Sequence, residues 1–194
     1  DKQILSLNNE LTEISNEYNL LFDKLNEEID LNKKLLLVDT LTNSYNRKYY
    51  VMTMNGLISL NNRYKTPFSL ILFDIDDFKK VNDGYGHLVG DEVLINLVKL
   101  VNENIRETDT LYRIGGEEFI IICKNTVKLD AINIAEKLRK KVEESLIVIK
   151  NKTITISIGV TEVIENDNEN SIYKRVDDNL YISKNSGKNR ITSN

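Results

Sequence analysis

The 194-residue chain has one cysteine, one histidine, one proline and only eight glycines. Each scarcity excludes something. A single cysteine rules out an internal disulfide, and Cys123, inside the apolar stretch "FIIIC", reads as a small core residue rather than a nucleophile or ligand. Such usage fits a reducing compartment, so a cytoplasmic location is expected. His87, the lone histidine, lies in a polar stretch and is assigned to loop packing, not catalysis. No apolar run approaches the roughly 18 residues of a membrane span, and no signal peptide opens the chain. No membrane contact is expected of this piece. Its first residue, Asp1, reads as the start of an excised fragment, so a sensor domain is expected upstream, with this piece the cytoplasmic part if that sensor is membrane-bound. Charge is scarce too: a net −4 leaves no field that draws a nucleic-acid polymer or anionic lipid. Any phosphate must be held by a local site.

What is present begins with a seam. Ile4, Leu7, Leu11, Ile14, Tyr18, Leu21 and Leu25 alternate three and four residues apart, the a/d pattern of a coiled coil, with no Gly or Pro to interrupt it. Strict heptads then put Glu28 and Asn32 on the seam, whereas Leu25, Ile29 and Leu36 indicate a change of phase. A helix through residue 37 is about 50 Å long at 1.5 Å per residue. We read residues 1–38 as a signalling helix that pairs in parallel with a second copy, against the alternative of one amphipathic helix lying on the domain. Residues 39–194 form the globular domain, for which 41% hydrophobic content supplies a core.

Along that domain the patterns predict a helix over Arg47–Asn62, a loop at Pro67 and a buried strand in "SLILFDID". "FKKVNDGYGHLVGDE" reads as irregular and polar. A helix in "EVLINLVKLVNENI", a hairpin, a helix over Leu129–Glu144, a strand in "TITISIGV" and a helix over Tyr173–Lys184 follow, with Gly187 as its C′ residue. Interleaved strands and helices around a hairpin predict an α/β fold with a mixed rather than uniformly parallel sheet.

The hairpin, "RIGGEEFIIIC", carries the first chemistry. Gly115-Gly116 is read as the two-residue turn, which places Glu117 and Glu118 at the start of the next strand with side chains on opposite faces. The second acidic cluster, Asp74-Ile75-Asp76-Asp77, emerges at the C-terminal end of an apolar strand, where open α/β sheets bind ligands. If the two elements are neighbours, Asp74 and Glu117 converge as hard oxygen ligands suited to Mg²⁺ and its phosphates. A calcium loop does not fit, because Phe78 stands at its fifth position. Asp76 and Asp77 are read as solvated turn acids.

"RIGGEEF" resembles the signature of the GGDEF family of diguanylate cyclases, in its glutamate-containing variant. "DTLTNSYNR" is similar to the family's N-terminal motif, with Asn43 in place of the usual glycine; "FDIDDFKKVNDGYGHLVGDE" resembles its nucleotide-binding segment and "SKNSGKNR" its C-terminal motif. The resemblance covers Asp39 to Arg190 and implies the nucleotidyl-cyclase fold, a polymerase-palm-like sheet flanked by helices and preceded by a long helix. It further implies that Asp74, Glu117 and the Ile75 carbonyl hold Mg²⁺ or Mn²⁺, and that Asn82 and Asp91 read the guanine of GTP. The Phe78 and Lys79 region, with Lys184 and Lys188, would bind its phosphates. Glu118 would organise phosphate or metal, the general base being Glu118, Glu117 or metal-activated hydroxide. Without the motif, Lys184 and Lys188 would be read as complementing a helix dipole, and Asn82 as a turn residue.

Arg106 and Asp109 resemble the family's RxxD inhibitory motif, which implies feedback by cyclic di-GMP; a local salt bridge is the alternative. The implied reaction joins two GTP across a homodimer into cyclic di-GMP and two pyrophosphates. Two rivals remain: a catalytically silent module that binds GTP or cyclic di-GMP, and a cyclase acting on one nucleotide.

Overall fold

The computed structural model describes residues 2–145, 147–149 and 152–194. It divides into two units, one through Leu37 and the other Val38–Asn194. The first is a single helix, α1 (Lys2–Leu37). Every residue of its a/d seam from Ile4 to Leu25 is exposed, as are Ile29 and Leu36 beyond the phase change.

The second unit contains, in chain order, β1 (Tyr45–Asn46), α2 (Arg47–Tyr64), β2 (Phe68–Ile75), α3 (Phe78–Tyr85), α4 (His87–Asn102), β3 (Thr110–Gly115), β4 (Glu118–Lys124), α5 (Lys128–Glu143), β5 (Val148–Ile149), β6 (Lys152–Thr153), β7 (Ile156–Glu162), α6 (Glu169–Asn185) and β8 (Ile191–Ser193). Six strands form one sheet in the order β1-β3-β4-β2-β7-β8, and β5 pairs with β6 apart from it. The sheet is mixed, as expected. β2 runs antiparallel to both β4 and β7, while β1–β3 and β7–β8 are parallel.

Helices cover both faces, which is why β2 is apolar without alternation and buried along its whole length. Ile71, Phe73 and Ile75 pack with Leu97 and Val101 of α4 and Ala135 and Leu138 of α5. Leu70 and Leu72 point the other way, to Tyr50 and Met54 of α2 and Val176 and Leu180 of α6. Asp74 shares the parity of Leu70 and Leu72, so the strand delivers its carboxylate to the α6 side. Caps fix the helices of that layer: Tyr49 N–H donates to Asn46 Oδ1 at the start of α2, and Asn168 with Ser171 forms a capping box on α6.

Three expectations need correction. The stretch read as irregular is helical: α3 and the first turn of α4 occupy it, separated by Gly86 at φ +87°. Phe78, Val81 and Tyr85 share the face of α3 that packs on the core, but only Phe78 is fully buried and polar residues and glycines surround this short stripe. His87 is exposed in the first turn of α4 rather than packed in a loop. The segment "TITISIGV" is divided, with β6 ending at Thr153 and β7 beginning at Ile156. Gly187 follows α6 at φ +112°, the C′ geometry expected of it.

Candidate active site

The register of β2 against β4 builds the site. Asp74 lies opposite Glu118, and the preceding pair, Phe73 and Phe119, stacks on the opposite face with ring centroids 5.5 Å apart. The turn differs from expectation by one residue. Gly115 ends β3, and Gly116 and Glu117 form the tip, with Gly116 at φ +45° and the register shifted between Arg113 and Gly115. Only Gly116 of the pair needs the left-handed region that favours glycine. Glu117 is therefore a turn residue, and Glu118 opens the strand.

Asp74 is 5% exposed. Burial pushes its pKa up to about 6, and the negative charges of Glu117 and Glu118 push the same way. Against them stands one cation: Lys184 Nζ of α6 lies 2.8 Å from Asp74 Oδ2. A half-buried ammonium thus serves as counter-ion where three carboxylates crowd. Among the described residues no group of three His, Cys, Asp or Glu side chains is arranged to hold a metal. The donor set is two carboxylates and a main-chain carbonyl, which fits Mg²⁺ or Mn²⁺, because such ions keep positions for phosphate oxygens and water. Asp74, Glu117 and the Ile75 carbonyl are the atoms that would hold one.

The loop after Asp74 is braced by a residue assigned no role above. Asp76 accepts hydrogen bonds from Ser157 Oγ (2.6 Å), Thr155 Oγ1 (2.7 Å) and Asn189 N–H (3.0 Å). It is an anchor, not a solvated turn acid. Asn189 in turn accepts from Arg139 Nη1 and donates to Glu143 Oε1 of α5, both at 2.8 Å. Asp77 is not idle either: at φ +57° it leads into α3, and Lys188 Nζ and Lys80 Nζ lie 2.8 and 2.9 Å from its Oδ1. These ammonium groups hold its carboxyl below the usual range.

No described side chain caps the N-terminus of α3, and its first turn holds no acid. The N–H groups there, at Phe78 and the exposed Lys79, form the positive end of the helix dipole, with Lys188 tied to the adjoining Asp77, an arrangement that suits phosphate. Lys184 and Lys188 therefore flank the Asp74–Asp77 loop at its two ends. Asn82 on α3 lies with its amide against Gly90 of α4, the residue before Asp91.

Arg106 and Asp109 lie elsewhere, in a cavity of about 390 Å³ that they line with Asp130, Asn133 and Lys137. Asp109 is 6% exposed. Its Oδ2 accepts from the Arg106 N–H at 3.4 Å, while its Oδ1 has no hydrogen-bond partner among the described residues. Burial raises its pKa, and the Arg106 backbone N–H opposes that rise. The motif is thus no salt bridge between its two side chains in this conformation.

One further residue underpins the hairpin. Arg113 donates through Nε and Nη2 to the Gly116 carbonyl (3.0 and 2.8 Å) and through Nη1 to Asp39 Oδ1 (2.8 Å). Asp39 also accepts from the Thr42 N–H and hydroxyl. Asn43 sits at φ +57°, a left-handed conformation that glycine favours and Asn tolerates better than most residues. The tie from Asp39 to Gly116 was signalled only by the Arg before the glycines.

The family model of the diguanylate cyclase GGDEF domain matches residues 36–190. The response regulator PleD of Caulobacter vibrioides is 37% identical over 174 residues, 87% of this chain and 38% of PleD. Diguanylate cyclase VdcA of Vibrio cholerae is 36% identical over 192 residues, 95% of this chain and 54% of VdcA. The chain spans less than two thirds of the length of either relative. The solved coiled coil and GGDEF domain of DgcB from Caulobacter crescentus, in complex with c-di-GMP, has a TM-score of 0.88 at 25% identity, covering 95% of this chain and 99% of that one. Matched by that model over nearly all of its second unit, the chain belongs to the GGDEF family of diguanylate cyclase domains.

Proposed function

We propose that this chain condenses two GTP into cyclic di-GMP and two pyrophosphates, working as a homodimer paired through α1. The observation that carries this reading is the buried Asp74 facing Glu118, beside the Glu117 turn, with Lys184 as its replaceable counter-ion. Asp74, Glu117 and the Ile75 carbonyl would hold Mg²⁺ or Mn²⁺, whose chemistry there would be to acidify the attacking 3′-hydroxyl and neutralise charge on the α-phosphate. The N–H groups of Phe78 and Lys79, with Lys184 and Lys188, bind the phosphates, and Asn82 and Asp91 read the guanine edge. Glu118 orders the phosphate and metal ligands from the strand opposite Asp74.

Each domain holds one GTP and hence half of a symmetric reaction. The exposed a/d seam of α1 supplies the second half by pairing two copies and raising their effective concentration. A sensor upstream, in a cytoplasmic protein or on the cytoplasmic side of a membrane-bound one, acts by shifting register at the phase change between Leu25 and Leu36. The Arg106–Asp109 cavity takes cyclic di-GMP as a feedback inhibitor, with Arg106 and Asp109 both on its wall.

The test is incubation of the purified chain with GTP and Mg²⁺ or Mn²⁺ at several protein concentrations, with products identified by mass. Cyclic di-GMP should appear with more than first-order dependence on protein and vanish in Glu117→Ala. Tight GTP binding without product, even in a forced dimer, would make this a silent binding module instead, and a monomeric cyclic nucleotide would make it a cyclase of another kind.

A further inference from the structure

Gly90 is buried in the first half of α4, and nothing above gives it a role. A Cβ built on it would fall far inside van der Waals contact with Asn82 Oδ1, and would sit 3.1 Å from Asn82 Cγ and 3.2 Å from Phe78 Cζ. The crowded atom is the end of a side chain, not backbone. The Asn82 backbone cannot yield, because its carbonyl accepts the Gly86 N–H that closes α3 (2.9 Å), and Gly90 N–H in turn donates to the Gly86 carbonyl (3.3 Å). A side chain at position 90 would therefore be accommodated by swinging the Asn82 amide away, with Phe78 giving a few tenths of an ångström.

We infer that Gly90 is a positioning residue for base recognition: the absence of a Cβ there is what lets Asn82 hold its amide against α4. This role rests on the assignment of Asn82 to the guanine edge. Gly90 touches no ligand itself and acts only through Asn82. Its place is in a helix interior, where Ala is the better helix former, so Gly90→Ala does not weaken α4 by propensity. Substitution should cost recognition rather than fold.

The test is a double-mutant cycle on the whole chain, reading GTP and ATP affinity and thermal melting for wild type, Gly90→Ala, Asn82→Ala and the double variant. Gly90→Ala should weaken GTP binding about tenfold, the weight of one good hydrogen bond, while leaving ATP binding unchanged. The double variant should bind GTP no worse than Asn82→Ala alone, because the residue through which Gly90 acts is already gone. If Gly90→Ala also melts early, Asn82→Ala should restore the melting temperature by removing the clashing atoms. Unchanged GTP affinity in Gly90→Ala, or losses that add in the double variant, would overturn the inference. If Asn82→Ala alone leaves GTP affinity unchanged, the guanine assignment itself fails and this role of Gly90 goes with it.

Discussion

Asp74 and Asp109 are the same side chain at nearly the same depth, 5% and 6% exposed, and burial raises the pKa of both. Their neighbours differ. Asp74 is crowded by Glu117 and Glu118 and balanced by an ammonium 2.8 Å away, so it sits among charges that a cation can rearrange. Asp109 has one long bond from the Arg106 N–H on Oδ2, with the Lys124 backbone also favouring its charge, while Oδ1 is sealed from solvent without a hydrogen-bond partner among the described residues. Buried acceptors are normally paired, so an unpaired one is a local cost that the surrounding packing offsets. Depth alone therefore says little about a buried carboxylate. The first is balanced by a charged neighbour, the second lies in a site with few donors.

One substitution made at both positions should separate them most sharply. Asp74→Asn removes a charge that the proposed metal requires, and cyclic di-GMP formation should fall about a thousandfold or more with the fold intact. Asp109→Asn should leave the initial rate within a factor of about two, since it touches no reacting atom in this scheme. Equal losses at the two sites would erase the distinction.

A smaller effect is expected in stability against pH, measured without metal. Asp74 has its folded pKa raised to about 6 from 3.8, so the folded state prefers the protonated form. Its contribution is most favourable below about pH 4 and is lost as pH rises through 6, at a cost of about 3 kcal/mol above that. Urea unfolding of wild type and Asp74→Asn in a chelator should show the difference between them opening across that window. Parallel pH profiles would mean that Lys184 fully offsets the burial.

How far such sites could be read beforehand follows from the range of their contacts. β2 was legible because an apolar run ending in Asp74 needs only local pattern, and the hairpin because Gly115-Gly116 marks a turn, even though the tip moved one residue on to Glu117. The braces were not. Arg113 meets Asp39 across 74 residues and Asp76 meets Asn189 across 113, and an isolated charge in a strand or turn looks solvated until its partner is known. α3 hid for a different reason: its stripe of Phe78, Val81 and Tyr85 is only two turns long and set among polar residues and glycines. The Asp109 cavity lies between these extremes, since its motif was visible but its unpaired oxygen was not.

That oxygen carries the last and smallest effect. Burial disfavours the charged form of Asp109, so removing the charge should leave Asp109→Asn as stable as wild type or more stable by about 1 kcal/mol. The same change replaces an acceptor with a group that must also donate, and guanine presents its own N–H donors to that position. Inhibition by cyclic di-GMP should weaken about tenfold or more, against an unchanged rate in its absence. A gain or parity in stability together with lost inhibition is the signature of a ligand acceptor, because a structural carboxylate would lose stability when changed. Inhibition as strong as in wild type would place the product elsewhere and leave Asp109 as an unexplained buried charge.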